Sequence, residues 1–432
     1  MPLGTIARLV EKQSSIGPVT VGCLNSLYHS VANLDVSCFS NDTIKQMLLQ
    51  PINSAEDYCN TLKLSIDDTP PTRYMLCFNR KCNNSRDMPL STYKDNNNCP
   101  CGSSPTLQLF LKLFGPRQGF VKGVATFVIT DDLIVMPKGI DNASFGLFKE
   151  FGITNPSSMK EMVLNVTKQQ VLDLLKCSLL SNSTLTDLFL VKKPSIGDSG
   201  FLSSDVEISG DLQITLKLFV RKSDGKILCA EGEQGFVNLL LSFLTFPLGG
   251  IARIFGENFS LGSINQLYKS MSELNDKDYF ISEEAKKRLV DPCILPYLEI
   301  SKPVLPICES GILDYYCHYG VSVIRFQYSK DIEGKSYVDN LLQTNLSKMV
   351  CPEGYLKGLA MYVATDDLVI SPLSPISVLG LHERFETPLD DLKEKIVTIG
   401  VKECLGILKA SLTSSSALTN GLAHLVTDLK EK

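Results

Sequence analysis

The second half of this chain repeats, in the same order, a set of segments found in its first half. The matched segments are 2–8 with 247–253, 24–34 with 264–274, 120–135 with 355–370, and 176–179 with 409–412. The spacing between matched positions drifts only from 245 to 233 residues along the chain, so the two sets are collinear. Because a repeated hydrophobic pattern folds as a repeated unit, the sequence predicts two tandem copies of one structure.

The repeat sets the predicted domain boundaries. Residues 1–191 form the first copy and residues 212–432 form the second. Residues 192–211 between them are rich in Ser, Gly and Asp, which is typical of a linker. A chain of 432 residues with 44% hydrophobic residues can bury two cores of this size.

Each copy mixes helix and strand patterns without regular alternation. Apolar residues recur at helical spacing in 24–34 and 263–274. Segments 124–137 and 360–372 predict two short strands around an acidic turn. Segments 157–180 and 389–412 predict pairs of helices. This mixture favours an α+β fold over a parallel α/β sheet.

The copies differ at their starts. Residues 214–232 contain two β-like runs around an Asp-Gly turn, which predicts a hairpin, and residues 236–246 predict a buried helix after it. The first copy begins directly at the segment that follows this hairpin and helix. Two interpretations are open: the first copy is N-terminally shortened, or the apolar segment 107–114 supplies a substitute strand.

These segments together resemble the plant family known as domain of unknown function 674. The resemblance rests on the hairpin at 216–232 and the helical run at 236–253, on the segments 22–31, 120–133 and 355–368, and on the run 174–190, and it covers nearly the whole chain. Members of that family start with the hairpin, so the resemblance also implies an N-terminally shortened chain. The family carries no established activity, substrate or catalytic residue that could be transferred to this chain.

The best candidate site in the sequence is a group of four cysteines in the first copy: Cys77, Cys82, Cys99 and Cys101. Polar residues fill the interval between the two pairs, as in a loop that folds around an ion. Four thiolates suit the tetrahedral preference of zinc, although the Cys-x-Cys pair is tighter than zinc ribbons favour. The sequence therefore predicts one structural zinc, set against four free thiols as the alternative.

Sequence patterns for a catalytic site are weaker than the pattern for the zinc site. The pairs Asp131-Asp132 and Asp366-Asp367 recur in both copies, but each lies between two strand-like runs, where aspartate is a common turn residue. The sequence contains neither a phosphate-binding GxxxxGK[ST] motif nor a GxGxxG after a strand. The four histidines, of which His29 is predicted to be exposed, form no arrangement typical of nucleophilic catalysis.

Charge and hydropathy bear on three expectations: nucleic-acid binding, membrane insertion and cellular location. The net charge of -5 provides no attraction to a phosphate backbone, so nucleic acid is not an expected partner. No signal peptide or membrane span is predicted, because the apolar run 236–248 is too short and contains polar residues. The expected location is therefore cytoplasmic or nuclear, where the 14 cysteines would be reduced.

The leading functional hypothesis is a non-enzymatic interaction or scaffold module with a protein partner. Two similar units in one chain suit bivalent binding, since linkage raises the effective concentration of the second unit. One alternative is an enzyme or a small-ligand protein with its site between the two copies. A degenerate paralogue without activity is the other alternative.

Overall fold

The structure is a computed structural model. It describes residues 1–76, 88–91, 107–110, 119–138, 152, 155, 159–190, 212–256, 261–292, 298–300, 305, 315–318, 341–346, 349–351, 354–358, 360–374 and 387–426. Strands from 74–110 and from 298–351 are described by their backbone alone.

The helices of the described residues are α1 Leu3–Val10, α2 Leu24–Asn33, α3 Asp42–Leu49, α4 Glu56–Cys59, α5 Lys168–Leu180, α6 Thr184–Phe189, α7 Gln234–Ser242, α8 Leu248–Phe255, α9 Ile264–Glu273, α10 Asp276–Tyr279, α11 Glu283–Val290, α12 Val401–Thr413, α13 Ala417–Gly421 and α14 Ala423–Val426. Short 3-10 turns occupy Val36–Cys38, Phe243–Thr245 and Leu389–Asp391.

The strands are β1 Arg73–Leu76, β2 Met88–Ser91, β3 Leu107–Phe110, β4 Phe127–Ile129, β5 Val135–Pro137, β6 Ile214–Arg221, β7 Ile227–Glu233, β8 Leu298–Ile300, β9 Tyr315–His318, β10 Leu341–Leu346, β11 Met349–Cys351, β12 Met361–Thr365, β13 Ile370–Pro372 and β14 Leu392–Ile399. The fold is a mixed α+β one, as the sequence predicts.

An antiparallel five-stranded sheet in the order β13-β12-β7-β6-β14 forms the centre of the molecule. Two of its three inner strands, β7 and β6, are the predicted hairpin, which turns at Gly225 with a φ of 74°. Glycine adopts this left-handed conformation without a steric penalty, so the Asp-Gly signal located the turn correctly. Alternate residues of β6, namely Leu216, Leu218 and Val220, are buried, as expected for a strand with one face on a core.

Helix α7 lies against this sheet and is buried on all sides. Every residue from Phe236 to Ser242 is buried, which explains why the segment lacks the polar face of a surface helix. The prediction of a buried helix here is confirmed. Helices α1, α2 and α3 pack around the same core, together with α12 and α13.

A second, two-stranded antiparallel sheet joins β4 and β5. The tight turn within it places Leu133 at a φ of 65°, and the turn between β12 and β13 places Leu368 at a φ of 62°. A left-handed leucine is uncommon, because its Cβ crowds the backbone. Its occurrence at both acidic turns means that the two turns have the same backbone shape.

Hydrogen bonds cross between the N-terminal and C-terminal parts of the chain in matched pairs. The pairs are Leu3 N to Phe246 O (2.9 Å) with Leu248 N to Met1 O (3.0 Å), Cys23 N to Ser411 O (2.8 Å) with Ser263 N to Ser178 O (2.9 Å), and Ser40 N to Tyr355 O (2.9 Å) with Ile281 N to Phe120 O (3.0 Å). Side chains add a fourth pair, in which Ser30 Oγ accepts from Ile370 N (3.0 Å) and Ser270 Oγ accepts from Val135 N (3.0 Å). As a result, α1–α3 pack with the central sheet, whereas α8–α11 pack near β4–β5 and α5.

Two sequence-based predictions are wrong. Segment 389–412 is not a pair of helices, because Leu392–Ile399 is strand β14 and only Val401–Thr413 is helical. Segment 157–180 likewise has one helix, α5, and its described residues 159–166 have no regular structure. Of the segment 107–114, the described residues 107–110 form strand β3, which pairs with β1 in a different sheet and does not substitute for the hairpin.

Candidate functional site

The four cysteines of the predicted zinc site lie outside the described residues. Cys77, Cys82, Cys99 and Cys101 therefore remain a prediction, as does the linker at 192–211. Within the part of the chain that the structure describes, no three His, Cys, Asp or Glu side chains come together as metal ligands.

The four buried cysteines of the described residues are unsuited to nucleophilic chemistry. Burial raises the pKa of the Cys23, Cys229 and Cys404 thiols to about 12 and that of Cys177 to about 11. A reactive cysteine needs the opposite shift, because the thiolate is the nucleophile. These four thiols act as small apolar core residues.

The repeated acidic pairs are turn residues that also accept hydrogen bonds from the first turn of a nearby helix. In each turn the second aspartate accepts a hydrogen bond from the preceding threonine hydroxyl, at 2.5 Å for Asp132 and 2.6 Å for Asp367. The first aspartate reaches the C-terminal helices instead: Asp131 Oδ1 accepts from Thr186 N at 2.7 Å, and Asp366 Oδ1 accepts from Thr419 N at 2.8 Å. The turn interpretation is confirmed, and the carboxylates have an additional role in docking α6 and α13.

Asp366 and Asp131 differ in their surroundings. Asp366 is only 5% exposed, and burial raises the pKa of its carboxyl group, against the opposing effect of the Thr419 hydrogen bond. The Lys226 ammonium group lies 3.7 Å from its Oδ2. Asp131 is exposed to solvent. The two turns have the same shape, but the Asp131 carboxylate is in contact with solvent, whereas burial disfavours the charged form of Asp366.

Replacing Asp366 with asparagine is expected to leave the protein at least as stable as the wild type at neutral pH and less sensitive to pH. The amide oxygen can still accept from Thr419 N, whereas the buried charge is removed. Because the folded-state pKa is raised, the wild type loses stability as the pH rises through that pKa, and the variant lacks this loss. Urea denaturation from about pH 4 to about pH 8 measures the difference.

The matched control is Asp131→Asn, at the exposed position of the other turn. Its unfolding free energy should stay within about 0.5 kcal/mol of the wild type at every pH. An Asp366→Asn variant that keeps the wild-type pH slope would show that the buried carboxyl group does not determine it.

A groove between α2 and β13 is the clearest cavity among the described residues, with a volume of about 520 Å³. Its polar side chains are engaged in local structure: Ser30 Oγ donates to Ser26 O at 2.9 Å, and Asp35 accepts from Ser37 N at 2.8 Å. His29 is exposed at its rim, as predicted, and its Nε2 lies 2.6 Å from Glu11 Oε1. In this part of the structure no hydroxyl or thiol is within hydrogen-bond distance of that imidazole. The groove thus provides apolar walls for a small molecule without a nucleophile and base in contact.

The most unusual surface of the described chain is formed by residues 159–166 and the outer side of β4. Residues 159–166 are exposed throughout, and Val163 and Met162 expose 92% and 52% of their surface. Ile129 on β4 is 51% exposed, and among the described strands only β5 pairs with β4. We refer to residues 159–166 and the unpaired side of β4 as the open edge. Exposed apolar side chains beside unpaired backbone groups are typical of a binding surface.

The open edge was not predicted from the sequence, because the pattern of 157–180 was interpreted as helical. A signal was present: Met159, Glu161, Val163 and Val166 align with Leu392, Glu394, Ile396 and Ile399 of β14 at a constant spacing of 233 residues. β-branched residues at these positions favour a strand.

Comparison with known proteins identifies a family without adding an activity. No described helix is long and apolar enough to cross a membrane. Neither curated proteins nor solved structures contain a match to this chain. Residues 1–402 match the family described as "Protein of unknown function (DUF674)", and the chain belongs to that family.

Proposed function

We propose that this chain is a non-enzymatic protein-interaction module, built from two diverged copies of one unit, that binds a partner at the open edge. The observations that carry the proposal are the exposed apolar side chains of residues 159–166 and the side of β4 that pairs with no described strand. A protein that leaves such an edge uncovered is at risk of non-specific pairing, so a specific partner is the simplest reason to retain it.

The two-copy part of the proposal is supported by the matched geometry. Left-handed leucines occur at positions 133 and 368, and threonine-aspartate hydrogen bonds recur in both turns. Helices α5 and α12 have the same length, and each begins with a Gln or Glu side chain that accepts from the backbone N–H of the residue before the helix. The four pairs of crossing hydrogen bonds further support it, because each joins residues that correspond in the sequence repeat.

This geometry also suggests how the copies are arranged. We propose that they exchange their helical parts, so that α1–α3 of the first copy complete the sheet of the second copy. In return, α8–α11 of the second copy pack on the strands and helices of the first. Such an exchange keeps the contacts of each unit and joins the two units firmly.

The non-enzymatic part is supported by the chemistry of the described side chains. The acidic pairs hold turns, the Cys23, Cys177, Cys229 and Cys404 thiols are buried with raised pKa values, and the groove brings no nucleophile into contact with a base. The second candidate, binding of an apolar small molecule, is favoured by the groove, whose walls come from α2 and β13.

Replacing Leu164 with lysine is expected to abolish partner binding, whereas Val163→Lys should leave binding unchanged. In β14 the residues aligned with Leu164 and Val163 are Val397, which is buried, and Ile396, which is 73% exposed. A paired strand alternates its side chains between two faces, so only Leu164 would point into the interface. Affinity capture from an extract of the source tissue, with each variant as bait and quantitative mass spectrometry as the readout, measures the loss.

A photoreactive amino acid at position 166 provides the control for direct contact, since it should crosslink to the captured protein in stoichiometric yield. Equal capture by the Leu164→Lys and Val163→Lys baits, or the lack of any captured protein that depends on Leu164, would contradict the proposal.

A further inference from the structure

We infer that the open edge is a docking site for a β-hairpin followed by an apolar helix, supplied by another protein chain and patterned like residues 214–242. This inference rests on the proposed function and specifies the class of its partner. The matched geometry of the two halves of the molecule carries it, because the central sheet has such a hairpin at the corresponding place.

The central sheet contains the hairpin between two other strands. On one side β7 pairs with β12, with Glu233 opposite Met361 and Cys229 opposite Thr365. On the other side β6 pairs with β14 along its whole length, from Ile214 opposite Ile399 to Arg221 opposite Leu392. Two strands therefore separate β12 from β14 in this sheet.

The first copy has the two flanking pieces without a described strand between them. β4 corresponds to β12, and residues 159–166 correspond to β14 and are followed by a matching helix, α5. Residues 159–166 have no regular structure although their pattern is that of a strand. An isolated strand without neighbours has no ladder hydrogen bonds to order it, so the missing partner accounts for this state.

Charge at the open edge matches this kind of partner. In the central sheet, Lys217 of β6 forms a salt bridge with Glu394 of β14 at 2.9 Å. Glu161 occupies the position of Glu394 in the first copy. A hairpin with a lysine at the position of Lys217 would therefore meet a carboxylate at the open edge, in the same register.

The helix that follows the hairpin also has a counterpart position. Asn238 of α7 accepts hydrogen bonds from the backbone N–H groups of Tyr355 (3.0 Å) and Leu356 (3.3 Å), and the corresponding residues of the first copy are Phe120 and Val121. The segment after α7 ends at Phe246, whose carbonyl accepts from Leu3 N. In the same arrangement the partner helix would end near Met1, whose carbonyl accepts from Leu248 N.

The chain's own hairpin cannot fill the open edge without leaving its place. Leu216, Leu218 and Val220 are buried in the central core, and Phe236 to Ser242 are buried around α7. Moving them would expose this apolar surface to water, at about 25 cal/mol for each Å². The hairpin of residues 214–233 is therefore not the occupant, and we assign the occupant to a different chain.

The test co-expresses the full chain with residues 212–246 fused to a soluble carrier protein. We expect the fragment to co-purify with the chain and to slow amide hydrogen exchange at residues 161–166 and 127–129 by at least about tenfold, because strand pairing protects the backbone N–H groups. Exchange in β14, which is already paired, should not change. Lys217→Glu in the fragment should weaken binding by about two- to fivefold, and Glu161→Lys in the chain should restore it.

A second arrangement keeps the test decisive if the fragment is poorly soluble. Residues 212–246 are fused directly before Pro2 in place of Met1, where linkage gives a high effective concentration. Protection by the co-expressed fragment supports the inference. If only the linked hairpin protects residues 161–166, the edge accepts it only within one chain, and supply by another chain is wrong.

If neither arrangement protects residues 161–166, the hairpin inference fails. Should the extract experiment nevertheless show a Leu164-dependent partner, the interaction function stands and its partner belongs to another class. Failure of both experiments removes the proposed function as well.

Discussion

The Gly22→Ala and Gly262→Ala variants are each expected to lose about 3 kcal/mol of unfolding free energy. Gly22 has a φ of 49°, and a Cβ atom there would lie 2.4 Å from Ser411 O. Gly262 also has a φ of 49°, and its Cβ would lie 2.3 Å from Ser178 O. A left-handed alanine costs roughly 1–2 kcal/mol, and forcing the backbone apart adds a loss of about 1–3 kcal/mol.

Two other glycines separate the cost of a left-handed backbone from the cost of the close Cβ contact. Gly17 has a φ of 79° with no atom within 4 Å of a Cβ, so Gly17→Ala should lose about 1 kcal/mol from strain alone. Gly235 has the same open space at the start of α7 without a left-handed φ, and its alanine variant should match or slightly exceed the wild type. Urea denaturation of all four variants measures the differences. A Gly22→Ala loss no larger than that of Gly17→Ala would mean that α2 and α12 do not approach so closely.

These glycines matter because each lies directly before a residue that makes a crossing backbone hydrogen bond. The residue after each glycine donates its backbone N–H to the carbonyl group that the glycine itself approaches. Cys23 donates to Ser411 O, and Ser263 donates to Ser178 O. Both contacts join the start of one helix to the end of another that is far away in sequence. A loss of stability in both variants would therefore support the proposed exchange of helices between the copies.

Local structure was predictable where short-range rules decide it. The hairpin at 214–233 followed from Asp-Gly between two β-like runs, and α3 and α11 follow the pattern of a polar cap before an apolar periodic segment. Asn41 and Ser282 each accept a backbone hydrogen bond at these two helix starts. In these elements the residues that determine the structure lie within one turn of each other.

Strand β14 was missed because its sequence satisfies two patterns. Leu392–Ile399 begins with alternating charges that suit an exposed helix and continues with β-branched residues that suit a strand. In the structure, pairing with β6 along all eight residues decides in favour of the strand. Residues 159–166 share the pattern without that pairing and remain irregular, so tertiary context rather than propensity determines the outcome.

The crossing contacts could not follow from the sequence repeat alone. Matched segments have matched hydrophobic patterns, so the repeat does not say which part of the chain supplies the helices that pack on the central sheet. Sequence similarity predicts which kinds of element make contact and leaves open which segment supplies each one. The open edge was missed for a different reason, because the pattern of residues 159–166, which matches that of β14, was interpreted as helical.

The Lys176→Met variant is expected to lose about 3 kcal/mol of unfolding free energy. Lys176 is fully buried in α5, and its ammonium group donates to Lys12 O (2.6 Å), Ser14 Oγ (2.6 Å) and Gly17 O (2.5 Å). Burial lowers the pKa of this lysine, partly offset by the charge of Asp173. Methionine has a similar length but no donor, so it would leave three oxygens in the loop after α1 without their hydrogen bonds.

Lys168→Met, at the exposed first position of the same helix, is the matched control and should change the unfolding free energy by no more than about 0.5 kcal/mol. Chemical denaturation of both variants gives the comparison. The residue aligned with Lys176 in the sequence repeat, Lys409, is 4% exposed, and burial lowers its pKa as well. A buried lysine at both aligned positions is hard to explain by solubility or surface charge, because neither requires burial. A Lys176→Met loss below about 1 kcal/mol would instead mean that the loop oxygens find other donors, and that α5 does not anchor the loop after α1 through this side chain.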